Sequence, residues 1–341
     1  MSLDTASGGY FKYTPPDGFK SLNNDNLPLS NGDLSAFVWI KNRDAADNHM
    51  LFDAVRGVTK DMHSNATSAE VTNANTLTRF LKNGFEVSND PEVNTSAESY
   101  VAWQWLNDSL STSSNTDGDI TSTVLANTTS GVSVLTYSGN GTSDQTIGHG
   151  LGIAPKMIFS KRTDTTGNWT MYHDAVGINK VMYLNLSNLP ASNTEQYRAV
   201  PTSSVYTVGS GGDINNASGT YVAYCFAEVD GFSKAGSYVA NASTDGPFVY
   251  CGFKPSWVIF FSIAGSGAGR WMLDTVRSPF NVADDIVQAN TTAAESSGSS
   301  YRLDFLSNGF KVRTSSDFNS SGRTIAFMAF AESPFKTATA R

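Results

Sequence analysis

The chain has 341 residues, of which 16% are charged, 40% hydrophobic and 11% aromatic, with a formal net charge of -8. That much apolar material speaks against a disordered chain. Net negative charge without a cluster of Lys and Arg speaks against nucleic acid and anionic membrane as partners.

The length gives room for two or three domains of about 100–200 residues each. Few charges beside abundant Ser, Thr, Asn and Gly suit strands with uncharged polar faces better than helices, whose exposed faces carry Lys and Glu. Residues 1–27 are polar and rich in turn formers. Met1-Ser2-Leu3-Asp4-Thr5 has no basic start and no apolar run, so no signal peptide is read there. The segment is expected to be an arm that docks on a neighbouring subunit. The longest strongly apolar stretch, Trp257 to Ile263, is far short of the roughly 20 residues that span a bilayer, so no membrane insertion is expected.

Three repeats follow, over 28–118, 119–230 and 231–341. Each holds an apolar strand end running into an Asp turn: Met50-Leu51-Phe52-Asp53-Ala54-Val55, Met171-Tyr172-His173-Asp174-Ala175-Val176 and Met272-Leu273-Asp274-Thr275-Val276. Each ends in an aromatic strand: Tyr100-Val101-Ala102-Trp103-Gln104-Trp105, Tyr221-Val222-Ala223-Tyr224-Cys225-Phe226 and Ile325-Ala326-Phe327-Met328-Ala329-Phe330. The spacing from Asp53 to Asp174 equals that from Trp105 to Phe226, which aligns the three Asp residues with one another. Copy three is longer by four residues after its Asp, and the loop-like run Ser296-Ser297-Gly298-Ser299-Ser300 is the expected place. Copies two and three open with a hairpin ending at Pro155 and Pro255. Copy one lacks it and begins near Phe37-Val38-Trp39-Ile40.

Asn-Gly pairs at 31–32, 83–84, 140–141 and 308–309 mark tight turns. A short helical turn is expected at Ala283–Val287. Strand residues alternate between faces. One face of the closing strands is wholly apolar: Val101, Trp103, Trp105; Val222, Tyr224, Phe226; Ala326, Met328, Phe330. The other face is small and mostly apolar, so these strands are covered on both sides. The fold class expected is all-β: tandem antiparallel, jelly-roll-like β-sandwich modules.

The chemistry is sparse. Asp53, Asp174 and Asp274 recur once per copy, which suits a turn that every copy needs, with Asp accepting backbone N–H groups two residues on. His49, His63, His149 and His173 show no zinc spacing. His173 and Asp174 point to opposite faces of a strand and form no dyad. Gly265-Ser266-Gly267-Ala268-Gly269-Arg270 lacks the Gly-Lys-Ser/Thr of a phosphate loop, and Ser210 fits no nucleophile elbow. Cys225 and Cys251 read as two small buried side chains. No catalytic, cofactor-binding or metal residue is assigned, no cofactor is expected, and ligand-binding residues stay unassigned. Paired carboxylates, the tools of glycan hydrolysis, are not singled out by any spacing.

Four segments carry a resemblance: Phe11-Lys12-Tyr13-Thr14-Pro15-Pro16-Asp17-Gly18-Phe19-Lys20-Ser21-Leu22-Asn23, the strand Tyr221–Glu228, the link Gly231-Phe232-Ser233-Lys234-Ala235-Gly236-Ser237-Tyr238, and the ending Ala331-Glu332-Ser333-Pro334-Phe335-Lys336. They resemble a repeated β-module family of tailed-bacteriophage virion and tail-fibre-like proteins, often found downstream of a SPRY-like domain. No such domain is read in this sequence. The resemblance covers nearly the whole chain and supplies no functional residues. It implies a non-enzymatic virion protein, assembled in the host bacterial cytoplasm. The expected role is a tail fibre or tail-tip adhesin. Its partners would be itself, as a homotrimer, other virion proteins, and a host-surface glycan or protein. The rivals are a capsid decoration or head-fibre protein and a glycan-cleaving tail enzyme.

Overall fold

The computed structural model describes residues 19–23, 34–82, 84–266 and 269–331, and is 46% strand and 5% helix. Module 1 contains β1 (Phe19–Asn23), β2 (Leu34–Asn42), β3 (Met50–Asp53), β4 (Lys60–His63), β5 (Val71–Thr72), β6 (Leu77–Leu81), β7 (Gly84–Val87) and β8 (Tyr100–Asn107). Module 2 contains β9 (Ser113–Asn115), β10 (Ser122–Asn127), β11 (Val132–Ser138), β12 (Gln145–Gly148), β13 (Pro155–Arg162), β14 (Thr170–His173), β15 (Lys180–Tyr183), β16 (Ala191–Ser192), β17 (Tyr197–Ala199), β18 (Val205–Val208) and β19 (Thr220–Ala227). Module 3 contains β20 (Ser233–Val239), β21 (Phe248–Tyr250), β22 (Trp257–Ala264), β23 (Arg270–Asp274), β24 (Val287–Gln288), β25 (Leu303–Leu306), β26 (Gly309–Val312) and β27 (Thr324–Phe330).

The modules share one plan. A large antiparallel sheet runs β1-β8-β2-β3-β4-β5 in module 1, β16-β15-β14-β13-β19-β11-β10-β9 in module 2 and β20-β27-β22-β23-β24 in module 3. A small sheet, β6-β7, β12-β18-β17 or β21-β26-β25, covers its outer face. Between the two layers each module keeps its own apolar core, for example Val38, Phe52 and Leu77 in module 1. The counterparts are Leu135, Tyr172 and Tyr206 in module 2 and Phe260, Leu273 and Phe310 in module 3. This is the expected sandwich.

The inner faces do something further. All nine alternate residues of β8, β19 and β27 named above join a single cluster with Phe37, Trp39, Phe159, Trp169, Trp257 and Phe261. Rings of Trp105, Phe226 and Phe330 meet one another at centroid distances of 5.7–5.9 Å. The three large sheets therefore wall one common core. Burying each such aromatic is worth on the order of 1.5–3 kcal/mol, so the modules stabilise one another.

A pseudo-threefold arrangement follows from the contacts at the seams. At equivalent strand positions His49, Trp169 and Arg270 each reach a backbone carbonyl of the next module. The His49 Nε2–Gln288 O distance is 3.1 Å, Trp169 Nε1 donates to His63 O at 2.8 Å, and Arg270 Nε donates to Tyr183 O at 3.0 Å. Module 1 thus contacts module 3, module 2 contacts module 1, and module 3 contacts module 2, which closes the ring.

Three expectations change. Residues 19–23, inside the expected arm, pair antiparallel with Val101–Trp105 of the same chain as the edge strand of module 1. The rest of 1–27 lies outside the described residues. Ala283–Val287 is not helical: Ala283 bridges Leu303 and Ile286 bridges Ser296, while short helices form instead at Pro91–Asn94 and Gly212–Asn215. The four extra residues of copy three lie between Asp274 and Val287. Registers equate Leu51, Met171 and Met272, and likewise Met62, Met182 and Val287. The lengthened loop is the one carrying Phe280 and Val282.

Candidate functional site

The strand registers place Phe37 opposite Asp53, Trp257 opposite Asp274, and Met157 opposite His173. The structural series is Asp53, His173, Asp274. Asp174 is displaced by one and exposed, 3.2 Å from Lys156 Nζ. The sequence offset was taken across the 200–204 turn, where copy two gains one residue relative to copy one, so it shifted the alignment at the Asp by one.

The two aligned Asp residues build the same turn. Asp53 Oδ1 accepts the N–H groups of Val55 and Arg56 at 3.1 and 2.9 Å, and Asp274 Oδ1 those of Val276 and Arg277 at 3.0 and 2.8 Å. The other oxygen takes the guanidinium Nε three residues on, at 2.5 Å for Arg56 and 2.6 Å for Arg277. It also takes an aromatic donor from the neighbouring module: Tyr224 OH on Asp53 at 2.7 Å, Trp103 Nε1 on Asp274 at 3.2 Å. Glu70 and Glu295 complete the networks at 3.3 and 3.1 Å. Burial pulls the Arg56 pKa down, but Asp53 first, then Tyr224 and Glu70, outweigh it and hold the guanidinium above the ordinary arginine range.

In module 2 the same place holds His173, with Val176 where the arginines stand. His173 Nδ1 accepts the N–H of Ala175 at 3.1 Å, and its Nε2 lies 3.0 Å from Phe327 O. Burial lowers its pKa, and the neutral ring with Nε2–H donating satisfies both contacts. The aromatic donor is replaced by Met328, which occupies the position of Trp103 and Tyr224.

Where module 1 meets module 2, a cleft of about 260 Å³ opens beside this network. Arg56 and Glu70 of module 1 line it together with Thr123, Thr136, Ser138 and Thr220 of module 2. Thr163 Oγ1 and Thr220 Oγ1 lie 2.6 Å apart at its rim. Its serine and threonine side chains offer hydrogen-bond donors and acceptors to a polyhydroxylated ligand. The alternation Thr136-x-Ser138 on β11, with Thr123 of β10 opposite Thr136 and Thr121 just before β10, was the sequence signal for it, because such spacing puts side chains of paired strands on one face.

Titratable groups gather elsewhere, around His63. Its Nε2 stands 3.9 Å from Asp61 Oδ1 and 3.7 Å from Glu92 Oε2. Asp61 is buried and its Oδ1 accepts no hydrogen bond. Burial first, then the charges of Glu92 and Asp90, push its carboxyl up to about 7. Among the described residues no group of three or more His, Cys, Asp or Glu side chains is arranged to hold a metal ion.

The remaining sequence candidates are structural. His149 Nδ1 accepts the N–H of Leu151 at 3.2 Å. Cys225 and Cys251 are free and sit in the separate outer cores of modules 2 and 3, and burial pushes the Cys251 thiol up to about 12. Ser210 is exposed in a turn. Arg270 spends its guanidinium on the carbonyls of Tyr183 and Asn188, and Gly267 and Ala268 lie outside the described residues.

Residues 12–334 match a family described as "Domain of unknown function (DUF7483)". No curated protein and no solved structure matches the chain.

Proposed function

The chain belongs to the DUF7483 family, and we propose that it is a structural protein of a tailed-bacteriophage particle: a tail-fibre or tail-tip component that contacts the host surface. The observation that supports this reading is the fused central core. Three sandwiches share one buried aromatic interior, which makes a stiff block with its loops and small sheets turned outward. Stiffness with displayed surfaces is what an attachment protein requires. One chain already reaches a threefold form, so it matches a threefold axis of a larger assembly. Self-association into a trimer, contacts with other virion proteins and binding of a host glycan or protein belong to the same proposal. No catalytic role is assigned.

The test is location. Labelled antibody against the chain should decorate the tail tip or fibres of particles in electron micrographs. Label on the capsid surface would establish the decoration reading instead, and a chain missing from purified particles would overturn the proposal. Release of sugar fragments from host envelope polysaccharide by the purified chain would overturn its non-enzymatic part.

A further inference from the structure

On its small outer sheet, module 3 differs from module 2 at two points. The first is β21. Registers equate Phe248 and Tyr250 with Thr146 and Gly148 of module 2. Gly148 has no room for a Cβ because the side chain of Asn115 lies against it, and Ile120 bridges Ile147 beside it. The segment before β11 therefore covers that edge in module 2. In module 3 the link between β19 and β20 is too short to do so, and the edge carries rings instead. Phe248 is 46% exposed and Tyr250 65%. The second departure is the lengthened loop. Phe280 within it is 83% exposed, and the neighbouring Asn281 binds both the N–H and the carbonyl of Phe305 on β25, at 2.9 and 3.0 Å. The sheet thus runs β21-β26-β25 with an exposed ring beside each end, about 14 Å apart at the usual strand spacing.

Inward residues Val249, Phe310, Val312 and Phe305 belong to the outer core, so Phe248, Tyr250, Lys311 and Asp304 face out. The charges between the rings are already matched. Lys311 Nζ is 2.8 Å from Asp245, and Arg313 Nε is 3.0 Å from Asp304. Such a face has no uncompensated cation for phosphate, and its few scattered rings fall short of the contiguous apolar area of a protein interface. It suits a ligand with apolar C–H faces for the rings and hydroxyls for the paired charges, which keep free donor and acceptor capacity. The fold itself does not require the rings, since Thr and Gly fill the same positions in module 2.

We propose that the outer face of module 3's small sheet binds an extended, uncharged oligosaccharide through Phe248 and Tyr250, with Phe280 at the far edge. This names a ligand class within the attachment reading, but it is tested on the purified chain alone. Its failure therefore leaves the location on particles untouched, and absence from particles leaves it standing.

The experiment is native electrophoresis through gels containing dextran, mannan or galactomannan, comparing the unmodified chain with F248A/Y250A and, as a second variant, F280A. Retardation by at least one of these polymers is expected, weakened at least about tenfold in F248A/Y250A and less in F280A. All three should melt within a few degrees of one another, because the rings are solvent-facing. Retardation by none of the polymers overturns the proposal. So does equal retardation of the double variant, or retardation only by an anionic polymer such as heparin.

Discussion

The seams that module 1 makes with its two neighbours and the seam between modules 2 and 3 solve one geometric problem with different chemistry. In the first two, a buried carboxylate is compensated by an arginine three residues on and capped by an aromatic donor from the adjacent module. In the third, a neutral histidine closes the turn and holds a backbone carbonyl of module 3. The shape is conserved by the turn's hydrogen bonds, not by charge. The charged version ties each seam to a complete set of partners. A buried ion pair is weak evidence of net stability, but removing one member is costly because the other is left buried and unpaired.

The largest expected effect follows from that asymmetry. Arg277 and Asp274 are wholly buried, and Arg277 also lies 5.6 Å from the centre of the Trp103 ring. Arg277→Ala should destabilise the chain by about 3–5 kcal/mol. Arg56→Ala should cost a similar or slightly smaller amount. Val176→Ala, at the matching place in module 2, should cost about 1 kcal/mol, the scale of a partly buried aliphatic truncation. Urea unfolding of the three variants ranks them. Equal losses at all three places would mean that the seams are energetically alike.

A graft sharpens the same comparison. His173→Asp alone buries a carboxylate with no cation beside it, and about 3 kcal/mol should be lost. His173→Asp with Val176→Arg rebuilds the pair found in the sister modules. It should recover part of the loss, so that the double-mutant cycle yields a coupling of about 1–3 kcal/mol. Recovery stays partial because Met328 offers no donor where Tyr224 and Trp103 do. A coupling near zero would show that the Asp–Arg turn depends on the aromatic donor rather than on the pair.

The closing strands were legible because alternation is a strict period of two: nine apolar residues in three copies admit only a shared buried face. The merging of those faces into one core was not legible. A sequence shows that a face is apolar, not whether it covers its own module's second layer or a neighbour's. The Asp series failed for a related reason. An inserted residue between Ala199 and Thr207 moved every later landmark of copy two, while hydrogen-bonded register kept His173 in the Asp place. The aromatic rim of module 3 was hidden because Phe248 and Tyr250 read as ordinary strand residues. Only the pairing with β26 shows them turned outward.

The smallest effect distinguishes module 1's acid cluster from the seams. There, Asp61 is buried without a compensating arginine on its own oxygen, and its carboxyl is raised to about 7. In the unfolded chain the same group ionises near 3.9. A carboxyl whose folded pKa is raised contributes stability that is fully present below about pH 4 and is lost as pH rises through 7. Asp61→Asn keeps the uncharged form at every pH. It should therefore be more stable than the unmodified chain by about 1–2 kcal/mol at pH 7.5, allowing for incomplete burial of the cluster. The advantage should shrink through pH 6 and vanish near pH 4. The buried His173 titrates the opposite way, since its lowered pKa costs stability as pH falls below about 6.5. Both chains keep that histidine, so the difference between them reports Asp61 together with His63, whose Nε2 stands 3.9 Å from it. An advantage that stays constant from pH 7.5 to pH 4.5 would mean that Asp61 is ionised throughout, compensated by Arg56 nearby, and that the cluster behaves as the seams do.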